Sequence, residues 1–136
     1  MTENILFVCV ENAGRSQMAE AFFKKFASKQ FNVSSAGTVP SSQLNPIVIK
    51  VMKEIGIDMT EQIPKLLSES MIKNSSKAIN MGCMYKESCP SLFVKDVLDW
   101  NVSDPKEKSV EEVRLIRDKI KSEVLNLVKS LEASTG

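Results

Sequence analysis

The sequence contains no histidine, and it has only one tryptophan and one tyrosine. The lack of histidine removes the commonest general base and the commonest nitrogen ligand for metals. Any acid–base chemistry must therefore depend on carboxylates. We expect no metal site and no bound cofactor.

Neither sign of charge dominates, because 18 basic residues face 17 acidic ones and the net charge is +1. Such a chain lacks the electrostatic footprint of a nucleic-acid-binding or membrane-surface protein. Long apolar runs are also missing, and no basic segment precedes the short apolar run near the start. We expect a cytoplasmic protein without nucleic-acid or membrane partners, folded as a single domain over residues 1–136.

Cysteine is scarce and odd in number, at Cys9, Cys83 and Cys89. An odd count leaves one thiol over, and disulfides in a reducing compartment are usually catalytic or transient. Three cysteines without histidine also fall short of the four ligands that a structural zinc site needs. The pattern suggests redox use, with incidental loop cysteines at positions 83 and 89 as the alternative.

The most informative segment is an apolar strand that leads through a short turn into a helix, from Ile5 to Ser16. The spacing of Cys9 and Arg15 lets successive backbone N–H groups converge on one point, at the positive end of a helix dipole. Such a nest fits a tetrahedral anion. The predicted substrate-binding residues are Glu11, Asn12, Ala13, Gly14, Arg15 and Ser16.

The side chains of this segment suit the chemistry of an anion. The amides, the helix terminus and the Ser16 hydroxyl favour the thiolate form of Cys9, which is the nucleophilic form. Arg15 offers a planar fork to two anion oxygens. Gly14 permits unusual backbone geometry, and Asn12 tolerates a left-handed conformation. A buried strand cysteine followed by a solvated arginine is the alternative interpretation.

Apolar periodicity predicts that strands and helices alternate along the chain. Strands are expected over residues 4–10, 31–37, 77–81 and 92–98, and helices over residues 16–28, 45–56, 64–73 and 109–131. This alternation indicates a parallel sheet covered by helices on both faces. Ligands bind beyond the carboxyl ends of such strands, so Cys9, Gly82, Cys83 and residues 99–105 should meet at one rim.

Several motifs together resemble the arsenate reductases built on the low-molecular-weight protein tyrosine phosphatase fold. They are the run from Val8 to Glu20, Ser35-Ala36-Gly37, Met81-Gly82-Cys83, Cys89-Pro90, and Trp100 with Asp104-Pro105. The resemblance covers nearly the whole chain. It implies an α/β three-layer sandwich with a four-stranded parallel sheet flanked by helices.

The resemblance also implies a mechanism for reducing arsenate, a phosphate mimic, to arsenite. Cys9 would attack arsenic while Asp104 protonates the departing oxygen. Cys83 would then attack Cys9, and Cys89 would attack Cys83. Thioredoxin, or a low-molecular-weight thiol with a glutaredoxin-like partner, would reopen the resulting disulfide. The spacing of Cys83 and Cys89 differs from that in relatives, which leaves the order of attack open.

Some positions depart from the family pattern. Glu11 stands where relatives commonly carry His or Gly, and its charge should weaken anion binding unless it points outward. Certain members bind a monovalent cation through Asn, Glu, Ser and Asp. Asn12, Glu20 and Ser35 match this set, but Lys65 takes the Asp position. Because a lysine ammonium can replace the cation, we expect no potassium requirement.

Two alternatives from other classes stay open. A low-molecular-weight phosphatase would hydrolyse phosphoesters through a phosphocysteine at Cys9, with Asp104 as the acid. However, Lys106, Glu107 and Lys108 replace the tyrosines that usually follow Asp-Pro in that family. A redox sensor would signal through its disulfide without turnover. For Asp104 itself, the alternative is a turn residue before proline.

Overall fold

The computed structural model describes residues 3–28, 30–82 and 96–135. In chain order the elements are β1 (Glu3–Cys9), α1 (Arg15–Phe26), β2 (Phe31–Gly37), α2 (Pro46–Lys53), α3 (Glu69–Asn74), β3 (Lys77–Asn80), β4 (Val97–Asp99) and α4 (Val110–Thr135). All strand pairs are parallel, and the order across the sheet is β2-β1-β3-β4. The predicted four-stranded parallel α/β sandwich is confirmed.

Strand β1 lies inside the sheet, between β2 and β3. The chain passes from β1 to β2 on one side and then to β3 on the other, so the direction of winding reverses beside β1. In open parallel sheets, the carboxyl ends of strands at such a reversal border a crevice that binds ligands. Cys9 is the last residue of β1 and therefore lies at this crevice.

The side chains of β1 alternate between two apolar clusters. Ile5 and Phe7 join the larger cluster, to which α1, α2 and α4 contribute. Leu6 and Val8 join a smaller cluster, against which Met71 and other residues from α3 and its flanks pack. Because β1 is buried on both faces, its sequence is a nearly continuous apolar run rather than an alternating one.

Aromatic side chains from α1 fill the larger cluster, as their helical spacing predicts. Phe22 and Phe23 are fully buried. The Phe23 ring centroid lies 6.0 Å from that of Phe7 on β1 and 6.0 Å from that of Phe31 on β2, in edge-to-face arrangements. This geometry is the favourable one for aromatic pairs, so Phe23 joins α1 to two strands at once.

Two helix starts that the sequence predicts are confirmed by their caps. The Asn45 side chain accepts a hydrogen bond from the Ile47 amide at 2.9 Å, and Pro46 occupies the first turn of α2. At α4 the Ser109 hydroxyl accepts from the Glu112 amide at 3.2 Å, while the Glu112 carboxylate accepts from the Ser109 amide at 3.4 Å. This reciprocal pair is a capping box.

The prediction of a helix from residue 64 is wrong in its first five residues, because α3 begins only at Glu69. Gly37 donates its amide to the Lys65 carbonyl and accepts from the Leu67 amide, which makes a parallel bridge instead of a helical turn. Leu66 is consequently 64 % exposed rather than inward-facing. Ser68 then caps the shorter helix through the Met71 amide.

The remaining boundaries differ from expectation by a few residues. Helix α2 ends at Lys53, and Gly56 follows in a turn with φ of +83°. Strand β4 runs from Val97 to Asp99, one residue beyond the predicted end. Residues 92–95 of the predicted strand lie outside the described ranges. None of the described helices has the length and apolar character that a membrane span needs.

The packing of Phe23 between α1 and the sheet can be tested by substitution. Phe23→Ala should lower the free energy of unfolding by about 3–5 kcal/mol, because it leaves a cavity between α1 and the sheet. Leu115, on α4, is 72 % exposed. Leu115→Ala should change the free energy by no more than about 0.5 kcal/mol. Urea denaturation of both variants checks the contrast, and equal losses would contradict the assignment of Phe23 to the core.

Candidate active site

The loop of residues 10–14, called the oxyanion loop below, connects β1 to α1. Four of the carbonyls at and around this loop accept hydrogen bonds from the backbone of residues 38–45. The donor and acceptor pairs are Thr38 with Cys9 (3.2 Å), Val39 with Val10 (2.8 Å), Ser41 with Glu11 (2.9 Å) and Asn45 with Ala13 (2.9 Å). In a trans peptide the C=O and the next N–H point in opposite directions. Outward carbonyls therefore leave the following amides on the inner side of the loop.

The end of β2 approaches the oxyanion loop so closely that only glycine fits there. A Cβ atom on Gly37 would lie 2.9 Å from the Asn12 backbone nitrogen and still closer to the Val10 carbonyl oxygen. Both neighbours are backbone atoms, which cannot rotate away as a side chain can. Gly37 therefore belongs to the construction of the site, although it carries no reactive group.

Asn12 holds the loop from beneath, in the left-handed conformation that the sequence analysis expects, with φ of +52°. Its side chain is fully buried. The amide nitrogen donates to Ser16 Oγ at 2.7 Å and to Ser35 Oγ at 3.0 Å. The amide oxygen accepts from Gln17 Nε2 at 2.9 Å and from the Lys65 backbone at 2.8 Å. All the hydrogen-bonding capacity of the side chain is thus used.

The sulfur of Cys9 lies at the base of the loop and is almost completely buried. Ser16 Oγ is 2.8 Å from it, and the Asn12 backbone amide donates to it at 3.3 Å. Because Ser16 Oγ already accepts from Asn12, the single hydroxyl hydrogen is free to point at the sulfur. Two donors and the N-terminus of α1 thus surround the sulfur that the sequence predicts as the nucleophile.

Arg15 and Asp104 meet across the rim of the sheet. Arg15 Nη2 is 3.7 Å from Asp104 Oδ2, and Nη1 donates to the Val102 carbonyl at 3.2 Å. Gly82, after β3, has a φ of +116°, and a side chain there would collide with the Arg15 guanidinium. The predicted meeting of the loop after β1 with the residues after β3 and β4 is therefore observed for these residues.

These groups surround one open cavity of about 280 Å³. It is lined by Cys9, Glu11, Ala13, Gly14, Arg15, Ser41, Gln43, Leu44, Asn45, Pro46, Asp104, Pro105 and Lys106. The nucleophile, the guanidinium and the carboxyl group that the sequence analysis selects share this space. Asn12 and Ser16 lie behind the loop and orient it. The arrangement can bind a small anion, attack it with sulfur and donate a proton to it.

Glu11 does not present an uncompensated negative charge to the cavity. Its carboxylate accepts a hydrogen bond from Lys106 Nζ at 3.1 Å, and 34 % of its side chain is exposed. The same contact raises the pKa of Lys106 above its ordinary value, because Glu11 hydrogen-bonds and attracts the ammonium. The predicted weakening of anion binding by Glu11 is therefore opposed by a neighbouring cation.

The Lys65 ammonium faces Glu20, one of the residues of the expected cation set. The ammonium is 3.8 Å from the Glu20 carboxylate, and Lys24 lies 3.1 Å from the same carboxylate. Glu20 is nearly buried and already has two positive partners, while the Asn12 oxygen is fully used. This set of residues does not fit a potassium ion. Within the described ranges, no group of three or more acidic or cysteine side chains could hold a metal.

Sequence reasoning missed Gln17, which links the loop to a distant segment. It is fully buried, donates to Asn12 and to the Ile63 carbonyl, and accepts from Gln62 at 2.6 Å. A glutamine in a first helical turn is usually solvated, so nothing in the local pattern marks it. Cys83 and Cys89 lie outside the described residues, and their predicted roles stay predictions.

The Ser16 contact leads to a prediction about sulfur reactivity. In a Cys83→Ser/Cys89→Ser background, which leaves Cys9 as the single thiol, Ser16→Ala should slow iodoacetamide alkylation at neutral pH by about tenfold. The reason is that a hydrogen bond to a charged group contributes about 1.5–3 kcal/mol, and the lower end of this range corresponds to about tenfold. Ser34→Ala, on the opposite face of β2, is the control and should not alter the rate. Equal rates for all three proteins would contradict the proposed donor.

The Lys65 ammonium leads to a second prediction. The thermal unfolding midpoint should be the same in potassium chloride and in choline chloride at equal ionic strength, because the described residues around Lys65 leave no place where a bound potassium ion would stabilise the folded protein. Differential scanning calorimetry measures both midpoints. A midpoint that rises with potassium alone would show that Lys65 does not replace the cation.

Comparison with known proteins agrees with this geometry. Residues 4–135 match the family model for low molecular weight phosphotyrosine protein phosphatase. An arsenate reductase of Staphylococcus aureus is 35% identical over 125 residues, covering 91% of this chain and 95% of that protein. A thioredoxin-dependent arsenate reductase of Corynebacterium glutamicum is 34% identical with a TM-score of 0.82, covering 98% of this chain and 63% of that one. An arginine phosphatase of Geobacillus stearothermophilus, at 24% identity, shares the fold with a TM-score of 0.86, covering 97% and 94% of the two chains. The chain belongs to the low molecular weight phosphotyrosine protein phosphatase family.

Proposed function

We propose that this chain is an arsenate reductase, which converts arsenate to arsenite through a relay of cysteine thiols. The observation that carries the proposal is the buried Cys9 sulfur, with donors from Ser16 and Asn12, at the base of the anion-sized cavity. Relatives named as arsenate reductases support the choice of oxyanion. The two further cysteines, Cys83 and Cys89, supply the thiols that a reduction needs.

The first step joins sulfur to arsenic. Arsenate lies against the inward amides of the oxyanion loop. The Arg15 guanidinium turns away from Asp104 and binds two arsenate oxygens. The Cys9 thiolate attacks arsenic, an arsenic–oxygen bond breaks, and Asp104 gives a proton to the departing oxygen. The product is an arsenic(V) thioester on Cys9. Asp104 is half exposed and can regain its proton from solvent.

The second stage transfers two electrons. The Cys83 thiolate attacks the Cys9 sulfur, and the sulfur–arsenic bond breaks with its electron pair staying on arsenic, which leaves as arsenite. A Cys9–Cys83 disulfide results. Cys89 then attacks Cys83, which releases the Cys9 thiolate and leaves a Cys83–Cys89 disulfide.

A dithiol partner closes the cycle by reducing this disulfide. Thioredoxin is the proposed partner, supported by the thioredoxin-dependent relative from Corynebacterium glutamicum. A low-molecular-weight thiol with a glutaredoxin-like partner is the alternative reductant. Because such a relay depends on thiols being kept reduced, we place the protein in the cytoplasm.

Phosphoester hydrolysis is the second candidate function. The family model itself describes phosphatases, and the first step of both reactions is thiolate attack on a tetrahedral oxyanion. Asp104-Pro105 is followed by Lys106, Glu107 and Lys108, where phosphatases of this family usually have tyrosines. The absence of these tyrosines argues against a preference for aromatic phosphoesters. We therefore expect slow hydrolysis of simple phosphoesters beside arsenate reduction.

The relay is tested by measuring arsenite from the reduced protein, first alone and then with thioredoxin, thioredoxin reductase and a nicotinamide donor. Without the partner, one equivalent of arsenite should form in a burst, because one set of thiols supplies two electrons. With the partner, turnover should continue. Cys89→Ser should keep the burst but lose thioredoxin-dependent cycling.

Cys9→Ser is the matched control, since it removes the nucleophile with a nearly isosteric group and should abolish the burst. Normal cycling of the Cys89→Ser variant would overturn the assignment of Cys89. Hydrolysis of p-nitrophenyl phosphate without any arsenite would identify a phosphatase. Mild peroxide oxidation without any arsenite would leave the redox sensor as the correct interpretation.

A further inference from the structure

The Glu11–Lys106 ion pair joins two walls of the cavity. Glu11 belongs to the oxyanion loop, and Lys106 belongs to residues 100–109, which connect β4 to α4 and are called the acid segment below because they include Asp104. The contact spans 95 positions of sequence at 3.1 Å. Both side chains line the cavity and are partly exposed, 34% for Glu11 and 62% for Lys106, so the pair lies at its solvent edge.

Lys106 is also coupled to the predicted acid through its backbone. Its amide donates to Asp104 Oδ1 at 3.0 Å, while Asp104 Oδ2 faces Arg15 at 3.7 Å. Glu11, Lys106, Asp104 and Arg15 are therefore linked by successive contacts, which run from the oxyanion loop to the first residue of α1. Fixing Lys106 to Glu11 fixes the backbone that orients the Asp104 carboxyl group.

The acid segment is seated directly on the oxyanion loop beside this pair. A Cβ atom on Gly14 would lie 2.6 Å from Pro105 Cγ, so the proline ring packs against the Gly14 backbone and leaves no room there for a side chain. Glu107, the next residue after Lys106, has a φ of +62°, a conformation that L residues adopt at a cost. A strained turn stays in place only when neighbouring contacts hold it.

We propose that the Glu11–Lys106 ion pair is a latch that keeps the acid segment closed on the oxyanion loop and positions Asp104 to donate its proton. The part that concerns proton donation rests on the proposed function. The latch has a second effect, because Lys106 cancels the charge that Glu11 would otherwise hold beside an incoming dianion. Positioning of Asp104 requires both residues. Neutralisation requires Lys106 only while Glu11 carries its charge.

Three variants separate these effects in steady-state arsenate reduction. Glu11→Gln opens the latch and removes the negative charge, so kcat should fall about two- to fivefold while KM does not rise. Lys106→Gln opens the same latch but leaves Glu11 unpaired, so kcat should fall equally and KM should rise. The double variant should have the same kcat as either single variant, because the same interaction is lost in all three. Its KM should be lower than that of Lys106→Gln, because Glu11 no longer carries a charge.

Controls distinguish the latch from a general loss of charge or of folding. Lys108→Gln removes the same charge two positions later and should leave kcat and KM unchanged. Lys106→Arg retains a cation that can reach Glu11 and should keep most of the wild-type kcat. Raising the ionic strength should lower the wild-type kcat toward that of the variants, since salt screens an exposed pair. Thermal unfolding midpoints confirm that all variants fold.

Inorganic phosphate binding, measured by calorimetry, tests the latch apart from the reduction. Lys106→Gln should bind phosphate more weakly than Glu11→Gln does. If the wild-type protein makes no arsenite, the proposed function fails, and the same kcat comparison is made on p-nitrophenyl phosphate. Equal kcat losses that do not add in the double variant support the latch. Unchanged kcat in the single variants, or losses that multiply, would overturn it.

Discussion

One side-chain amide, that of Asn12, determines the shape on which the whole site depends. Its nitrogen and oxygen together bind four partners from three parts of the chain, and its backbone donates to the Cys9 sulfur. Because a buried amide left unpaired costs more than a hydrogen bond gains, the arrangement is specified as a unit. The reactive sulfur, the inward amides and the position of Arg15 all follow from that unit.

The part of the site that could be predicted from sequence is the part encoded by neighbours along the chain. Cys9, Asn12 and Arg15 fall within seven consecutive positions, and a strand, a turn and a helix start fix their relative placement. Contacts between residues far apart in the sequence could not be predicted in this way. Gln17 looks like an ordinary surface residue of a helix, and its burial depends on Gln62, 45 positions away.

The same division explains the errors in the fold and in the electrostatics. Residues 64–68 have an acceptable helical pattern, but the open edge of β2 at Gly37 competes for their backbone groups and prevails. Glu11 carries a charge that local reasoning counts against anion binding. Its neutralisation requires Lys106, which only the folded chain brings near. Tertiary partners thus override local preference in both cases.

The carbonyls of the oxyanion loop are tied to residues 38–45, which follow β2 and lie some thirty positions away in sequence. The information for the loop is therefore divided between two segments of the chain. A chimera that exchanges residues 9–16 between members of this family would transplant the reactive groups without the backbone that shapes them. To transfer this site between proteins of this fold, both segments and Gly37 have to be exchanged together.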